Sequence, residues 1–384
     1  MQNNRIETLD VIRGLCLLGI LQANLLLFQY GSFGSEKIDL FPLDAHDWIS
    51  FYVVKVVVEG SFMPIFAFLF GYGMVLLHSK SVSLNRRPKW LLARRFIMLM
   101  ILGYVHVTYI WEGDILLTYG IVGLMLIPFV ARKAKTLFIW SVSLLALSVL
   151  LGYGAYQTEI YEPSGLQEVI QKTNKAYTDG SYSEIVRFRA EYDVFKQLGI
   201  DEMFLLTGVF LLPIVLGPMF LIGMYAAKKS WFTEASFTNY RLVSLLFVGL
   251  GLLFKSAYYI FPTVDFLGML FALGTNLLTL GYIFLIAWFY QIWRDRKVFK
   301  ALASVGKLSL TNYLFQSIIC TMIFYGYGLG LFGSLGVSFG VILGLFIFAI
   351  QVICSYAFLK KWNIGPFEYI VRVGTNLSFK RKRN

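Results

Sequence analysis

The sequence predicts an all-α fold, a polytopic transmembrane helix bundle of about ten spans with both termini cytoplasmic. Three observations carry that expectation. The chain is 58% hydrophobic and only 15% charged over 384 residues, with a mean hydropathy of +0.67, which would leave a water-soluble protein with far too much apolar surface. Its apolar runs are long enough to cross a hydrocarbon core of about 30 Å. In lipid the backbone must satisfy its own hydrogen bonds, so these runs are helices. The alternating ten-residue segments of an outer-membrane barrel are absent.

The expected spans cover roughly 11–30, 52–78, 96–110, 115–131, 136–156, 204–227, 242–261, 265–290, 308–325 and 335–358. Of the 34 Lys and Arg, 25 fall on one set of span ends and 6 on the other. That bias places both termini in the cytoplasm, and an even number of spans is what two cytoplasmic termini require. Residues 1–384 then form a single integral membrane domain, with an extracytoplasmic segment at 157–203 and a basic cytoplasmic tail at 359–384. The net charge of +12 follows from the cytoplasmic loops. No basic stripe alternates with exposed aromatics, so nucleic acid is not an expected partner. Cys16, Cys320 and Cys354 all lie in apolar runs, which argues against disulfides and zinc. The first span is interrupted by Gln22 and Asn24 and does not read as a cleaved signal.

In order along the chain, Asp10 and Arg13 near the start of the first span are spaced to pair. Lys55 and Glu59 stand at i and i+4 in "VVKVVVEG", where they share a helix face and mark a protein or aqueous interior. His78 ends a span beside Lys80, where a cation suits the helix C-terminus. "GYVHVTYIWEGDILLTYG" packs His106, Glu112 and Asp114 into nine residues between two apolar stretches. Asp114 suits a helix N-cap, a role that leaves it able to orient His106, and Glu112 is expected to be solvated. A histidine one turn inside the membrane edge needs partners and is the side chain most easily poised near neutral pH. In 157–203, Ile185, Phe188, Tyr192 and Phe195 recur at helical spacing, predicting a helix against the outer face. Lys255 lies in the outer part of the seventh span. Thr311, Asn312 and Gln316 offer hydrogen bonds on the ninth, as interhelical glue or as substrate contacts. Gly336, Gly340 and Gly344 share a face for close packing, within one chain or across a homodimer. "NIGPFEYIVRVG" reads as a short amphipathic helix with Pro366 in its first turn, and "KRKRN" as a basic end for anionic lipid. Asn24, His46, Lys55, Glu59, His106, Asp114 and Lys255 all fall in or beside the outer half, which suggests one outward-facing polar cavity.

Several stretches resemble the DUF418 (YeiB-like) family of bacterial membrane proteins: "RIETLDVIRGLCLLGILQAN" at the start, "FAFLFGYGM" at 66–74, "ARRFIMLMILGYVHVTYIWEGDILLTYGIVGL" at 93–124, "GKLSLTNYLFQS" at 306–317 and "GPFEYIVR" at 365–372. The opening also resembles a wider group of membrane acyltransferases that includes the heparan glucosaminide acetyltransferase. The resemblance implies a multi-pass protein of the bacterial plasma membrane that transfers an acyl group to an extracytoplasmic acceptor. It implies an acyl thioester such as acetyl-CoA as donor; the lack of any nucleotide-binding, Walker or metal motif leaves no bound cofactor or metal expected otherwise. The acetyltransferase pattern puts its catalytic His on His46, following Asn24; the DUF418 segment favours His106 with Asp114. His106 or His46 is thus the candidate base and Asp114 or Glu59 its partner. Asn24, Lys55, Glu59, Glu112, Lys255, Asn312 and Gln316 are candidate contacts to a small-molecule or lipid-linked substrate. Two alternatives stay open: a transporter or exporter of a small polar or amphipathic solute, favoured by the Lys55–Glu59 pair but not by the absence of an internal repeat, and a non-catalytic lipid-binding membrane protein.

Overall fold

The computed structural model describes residues 6–154, 165–233 and 239–379, with side chains left out at 202–206. The KRKRN tail and the stretch at 155–164 lie outside the described residues. Among the described residues every regular element is helical. The elements are α1 Glu7–Glu36, α2 Ala45–Val53, α3 Met63–Ser83, α4 Pro88–Tyr109, α5 Leu116–Met125, α6 Ala134–Leu150, α7 Leu166–Asp179, α8 Tyr182–Glu191, α9 Val194–Gln197, α10 Glu202–Lys228, α11 Tyr240–Ile260, α12 Leu267–Trp293, α13 Lys297–Lys307, α14 Ser309–Phe324, α15 Val337–Lys361 and α16 Pro366–Asn376.

Seven helical stretches are long and apolar enough to cross a membrane: α1, α2 to α3, α4, α10, α11, α12 and α15. The other three expected spans coincide with shorter apolar helices, α5, α6 and α14. Ten residues of α-helix rise only about 15 Å, so α5 alone does not cross a hydrocarbon core. It starts late because residues 110–115 form a non-helical connection, and it ends in a tight turn at Ile127–Phe129 that contains Pro128.

The bundle is organised around α1. It packs against α3, α13, α14 and α15, while α3 lies on α10, α6 on α10, α4 on α5 and α11 on α12. Backbones approach where side chains are missing: a Cβ on Gly14 would meet the Leu302 carbonyl and one on Gly306 the Asp10 carbonyl. The expected glycine face on α15 is used inside the chain. Gly336 faces Asp47, Gly340 faces Gln29, and Gly344 faces Gln22 and Leu25.

The segment at 157–203 differs from expectation. It holds α7 as well, whose buried Leu166, Val169, Ile170 and Tyr177 pack inward. The predicted single helix through Phe195 breaks at Tyr192, because Asp193 caps a new turn by accepting from the Lys196 backbone N–H at 3.0 Å. Ile185 is buried, but Phe195 is exposed.

Candidate functional site

The "GYVHVTYIWEGD" stretch closes on itself. Gly103 lies one turn before His106, and a Cβ there would collide with Asp114 Oδ2 and the Leu117 backbone nitrogen. Its absence lets the start of α5 lie against α4. Asp114 Oδ2 accepts from Leu117 N at 2.7 Å, capping α5. Oδ1 of the same carboxylate sits 2.9 Å from His106 Nδ1, and both side chains are 1% exposed. The two atoms are at hydrogen-bonding distance but not yet aligned as a hydrogen bond, and Nε2 on the far side of the ring is buried with no partner among the described residues. Tyr313 of α14 stands beside the imidazole, ring centroids 5.4 Å apart, and its hydroxyl accepts from Ile115 N at 3.3 Å. That leaves the hydroxyl proton free to donate elsewhere.

Tyr313 is also the wall of a cavity. A space of about 710 Å³ runs down between α1, α3, α4, α5, α14 and α16. Its upper part is lined by apolar and aromatic side chains such as Phe66, Phe70, Phe96, Leu116 and Tyr119, and its mouth by Arg13, Arg95, Lys307 and Arg372. Glu368 of α16 lines it too, but its carboxylate is committed to the N-terminus of α14. It accepts from Leu310 N at 2.8 Å, Thr311 N at 3.0 Å and Thr311 Oγ1 at 2.6 Å. Along α1, Arg13 and Leu17 line the cavity and Phe28 stacks on Trp111. Spacings of four, seven and four residues put Asn24 on that same face, buried between Leu17 and Phe28.

The opposite side of His106 is closed. Trp111 is buried against Phe28, ring centroids 4.0 Å apart. Beyond it Tyr177, Tyr325 and Phe332 pack as an aromatic layer. Tyr182 Oη donates to the Tyr109 carbonyl at 2.9 Å, and Arg189 lies 3.6 Å from Glu112. Glu112 is therefore not the freely solvated group expected, because α8 and its Arg189 fold down onto it.

Lys55, Glu59 and Lys255 form a separate place. Lys55 Nζ donates to Glu59 Oε1 and Glu36 Oε1, each at 3.0 Å. The chain leaves α2 through a wide helical turn at Val54–Val58 and breaks before α3. Its stray carbonyls are met by neighbouring side chains: Tyr282 Oη donates to Val57 O, Lys255 Nζ to Glu59 O and Thr279 Oγ1 to Ser61 O. Lys255 is fully buried, its ammonium spent on the Glu59 carbonyl.

His46 is exposed at the start of α2, its Nε2 3.8 Å from Asp47 Oδ1. Asp44, His46 and Asp47 bring ligand-type atoms within 4.8 Å of one another, but both Asp47 oxygens are engaged, by Ser338 N and Asp44 N. Asn312 and Gln316 point into a buried interhelical network. Asn312 Nδ2 donates to Ser355 Oγ, Gln316 Nε2 to Gln351 Oε1, and Gln351 Nε2 to the Asn312 carbonyl. The seven outer-half residues thus do not share one outward-facing cavity. Aromatic packing closes that side, and the described cavity next to His106 opens at the basic end. Gly103, Tyr313, Arg95, Lys307 and Arg372 had no assigned role in the sequence, although all five stand in stretches already quoted.

Residues 226–378 match the family described as "Protein of unknown function (DUF418)", and residues 5–179 match "Heparan-alpha-glucosaminide N-acetyltransferase, catalytic". His106, Asp114, Arg95 and Asn24 fall in the second match; Tyr313, Lys307 and Arg372 fall in the first. Among curated relatives, the uncharacterized protein YxaH of Bacillus subtilis (strain 168) is 32% identical, over 99% of this chain and 96% of its own length. The uncharacterized protein YeiB of Escherichia coli (strain K12) is 30% identical, over 95% and 94%. An uncharacterized 39.9 kDa protein of Bacillus acidopullulyticus is 26% identical, over 97% and 94%.

Proposed function

This chain belongs to the DUF418 (YeiB-like) family of membrane proteins with acyltransferase-like similarity, and from that membership we propose that it transfers an acyl group from a thioester donor to an extracytoplasmic acceptor, with both termini in the cytoplasm. The observation that carries the reading is the buried His106–Asp114 pair, its Nε2 without a partner among the described residues, beside Tyr313, which lines the cavity. In the reaction, His106 Nε2 takes the proton of the acceptor hydroxyl or amine as that atom bonds to the acyl carbon. The C–S bond then breaks and the departing thiolate takes the proton from the imidazolium. Asp114 favours the tautomer with hydrogen on Nδ1 and stabilises the cation between the two transfers. Tyr313, its ring 5.4 Å from the imidazole between centroids, carries the hydroxyl that would serve the developing oxyanion.

The test is release or transfer of a labelled acyl group from acyl-CoA by purified protein. His106→Gln should fold and yet lose about 10²–10⁴-fold in rate, the range for general acid–base catalysis, while His46→Gln keeps most of its activity. Full loss in His46→Gln with none in His106→Gln would transfer the role to the exposed histidine. The second reading, export of a small polar solute, draws on the intramembrane charges Lys55, Glu59 and Lys255. It predicts solute movement that His106→Gln makes independent of pH, with no acyl release by the native protein.

A further inference from the structure

The geometry points to the basic mouth of the large cavity as a binding site for a phosphate or pyrophosphate carried on a long arm that fills the cavity toward Tyr313. Four cations from four different elements line that one space: Arg13 of α1, Arg95 of α4, Lys307 of α13 and Arg372 of α16. Arg13 is paired with Asp10 at 3.1 Å. Among the described residues, Arg95 and Lys307 have no such ion pair, and the buried Nε of Arg372 has no hydrogen-bond partner. The one carboxylate in the lining, Glu368, is turned to the α14 terminus and, among the described residues, makes no ion pair with them. Guanidinium groups lining the edge of one apolar space suit an anion with several acceptor oxygens, and guanidinium geometry matches phosphate.

The remainder of the cavity states what must be attached to the phosphate. Above Arg95 the lining turns to Phe66, Phe70, Phe96, Leu99 and Leu116, so the arm is uncharged. Arg95 and His106 lie on one continuous helix, eleven residues apart, a rise of about 16 Å. A ligand with its phosphate at Arg95 and its far end at the Tyr313 wall therefore separates the two by about that distance. A volume of about 710 Å³ is of small-molecule size. Either the phosphates of an acyl thioester nucleotide or the headgroup of an anionic lipid could supply this chemistry. The inference rests on the acyl-transfer reading only for the purpose of the arm, not for the anion site itself.

The experiment measures binding rather than turnover, on full-length protein in phosphatidylcholine nanodiscs. One arm titrates labelled acetyl-CoA; a second replaces part of the lipid with phosphatidylglycerol and counts retained lipid by native mass spectrometry. We expect one-to-one binding in at least one arm, and the arm in which it occurs identifies the source. Arg95→Gln and Lys307→Gln should each weaken it about tenfold to a hundredfold, the loss expected for a hydrogen bond to a charged group. Arg94→Gln, next along α4 but outside the lining, should bind as the native protein does. Thermal melts within a few degrees of native establish that the variants are folded, and Arg95→Lys should recover part of the affinity. His106→Gln should bind normally, so loss of catalysis and loss of the anion site are separately visible. No saturable binding in either arm, or binding unchanged in both Arg95→Gln and Lys307→Gln, overturns the proposal.

Discussion

Two polar clusters sit inside this apolar bundle and are built to opposite rules. Around Lys55, polar groups have been recruited to repair a broken backbone: Lys255, Thr279 and Tyr282 each donate to a carbonyl that the wide turn and the break after it leave without a helical partner. Lys55 itself is shared between two carboxylates. Around His106 the opposite holds. One ring nitrogen faces a carboxylate whose other oxygen caps a helix, while the second nitrogen is buried and unmet. A desolvated polar atom without a partner costs free energy. Under the acyl-transfer reading, the His106 nitrogen that no described residue meets is where a substrate would come and go.

The side of the membrane from which each cluster is reached comes first. If the end carrying α7 and α8 faces outward, a cysteine at exposed Ser181 should react completely with a membrane-impermeant thiol reagent added to intact cells, and one at exposed Ser83 should not react; the reverse pattern inverts the side from which each cluster is reached. Next comes stability. Lys55→Met leaves Glu59 without its cation, and removing one partner of a buried pair costs about 3–5 kcal/mol. Because Glu36 and Glu59 keep 58% and 37% of their side-chain exposure, we expect the low end, read as a lower melting temperature in detergent. Lys55→Met with Glu59→Gln should recover much of the loss; purely additive losses would mean the charges do not act together. The smallest change in fold belongs to Asp114→Asn. The amide oxygen can still accept from Leu117 N and cap α5, but it no longer supports a charged imidazole. We expect melting close to native and a rate lowered by about 10²-fold, at the modest end for an acid–base defect. A large drop in melting temperature with an unchanged rate would make this pair a structural one, like Lys55 and its carboxylates.

Much of the fold was legible because the bilayer imposes it. Apolar runs must become helices, and each expected span lies on one, although the unwound connection before α5 and the break between α13 and α14 leave some too short to cross alone. Asp114 was legible as a cap because that role depends on neighbours three residues away. Its contact with His106 was legible as an option, since both belong to one helix connection. Tyr313 was not, because it arrives from about 200 residues downstream. Arg95, Lys307 and Arg372 were hidden for a different reason. Each was counted as part of a cytoplasmic charge bias, a sum over many residues that says nothing about which of them meet. The single outward cavity failed because residues at similar depth on different helices point different ways, and depth was all that the topology supplied.

The layer over His106, from Trp111 and Phe28 to Tyr177, Tyr325 and the Tyr182–Tyr109 contact, also bears on the cell's energy supply. A membrane that stores a proton gradient cannot tolerate a titratable group wetted from both sides, since such a group would shuttle protons down the gradient between reactions. With aromatic rings above and Tyr313 below, the imidazole faces neither solution directly. If an acceptor enters from above, as the proposed acyl transfer requires, the opening must leave the Tyr313 side shut for the chemistry to proceed without a leak.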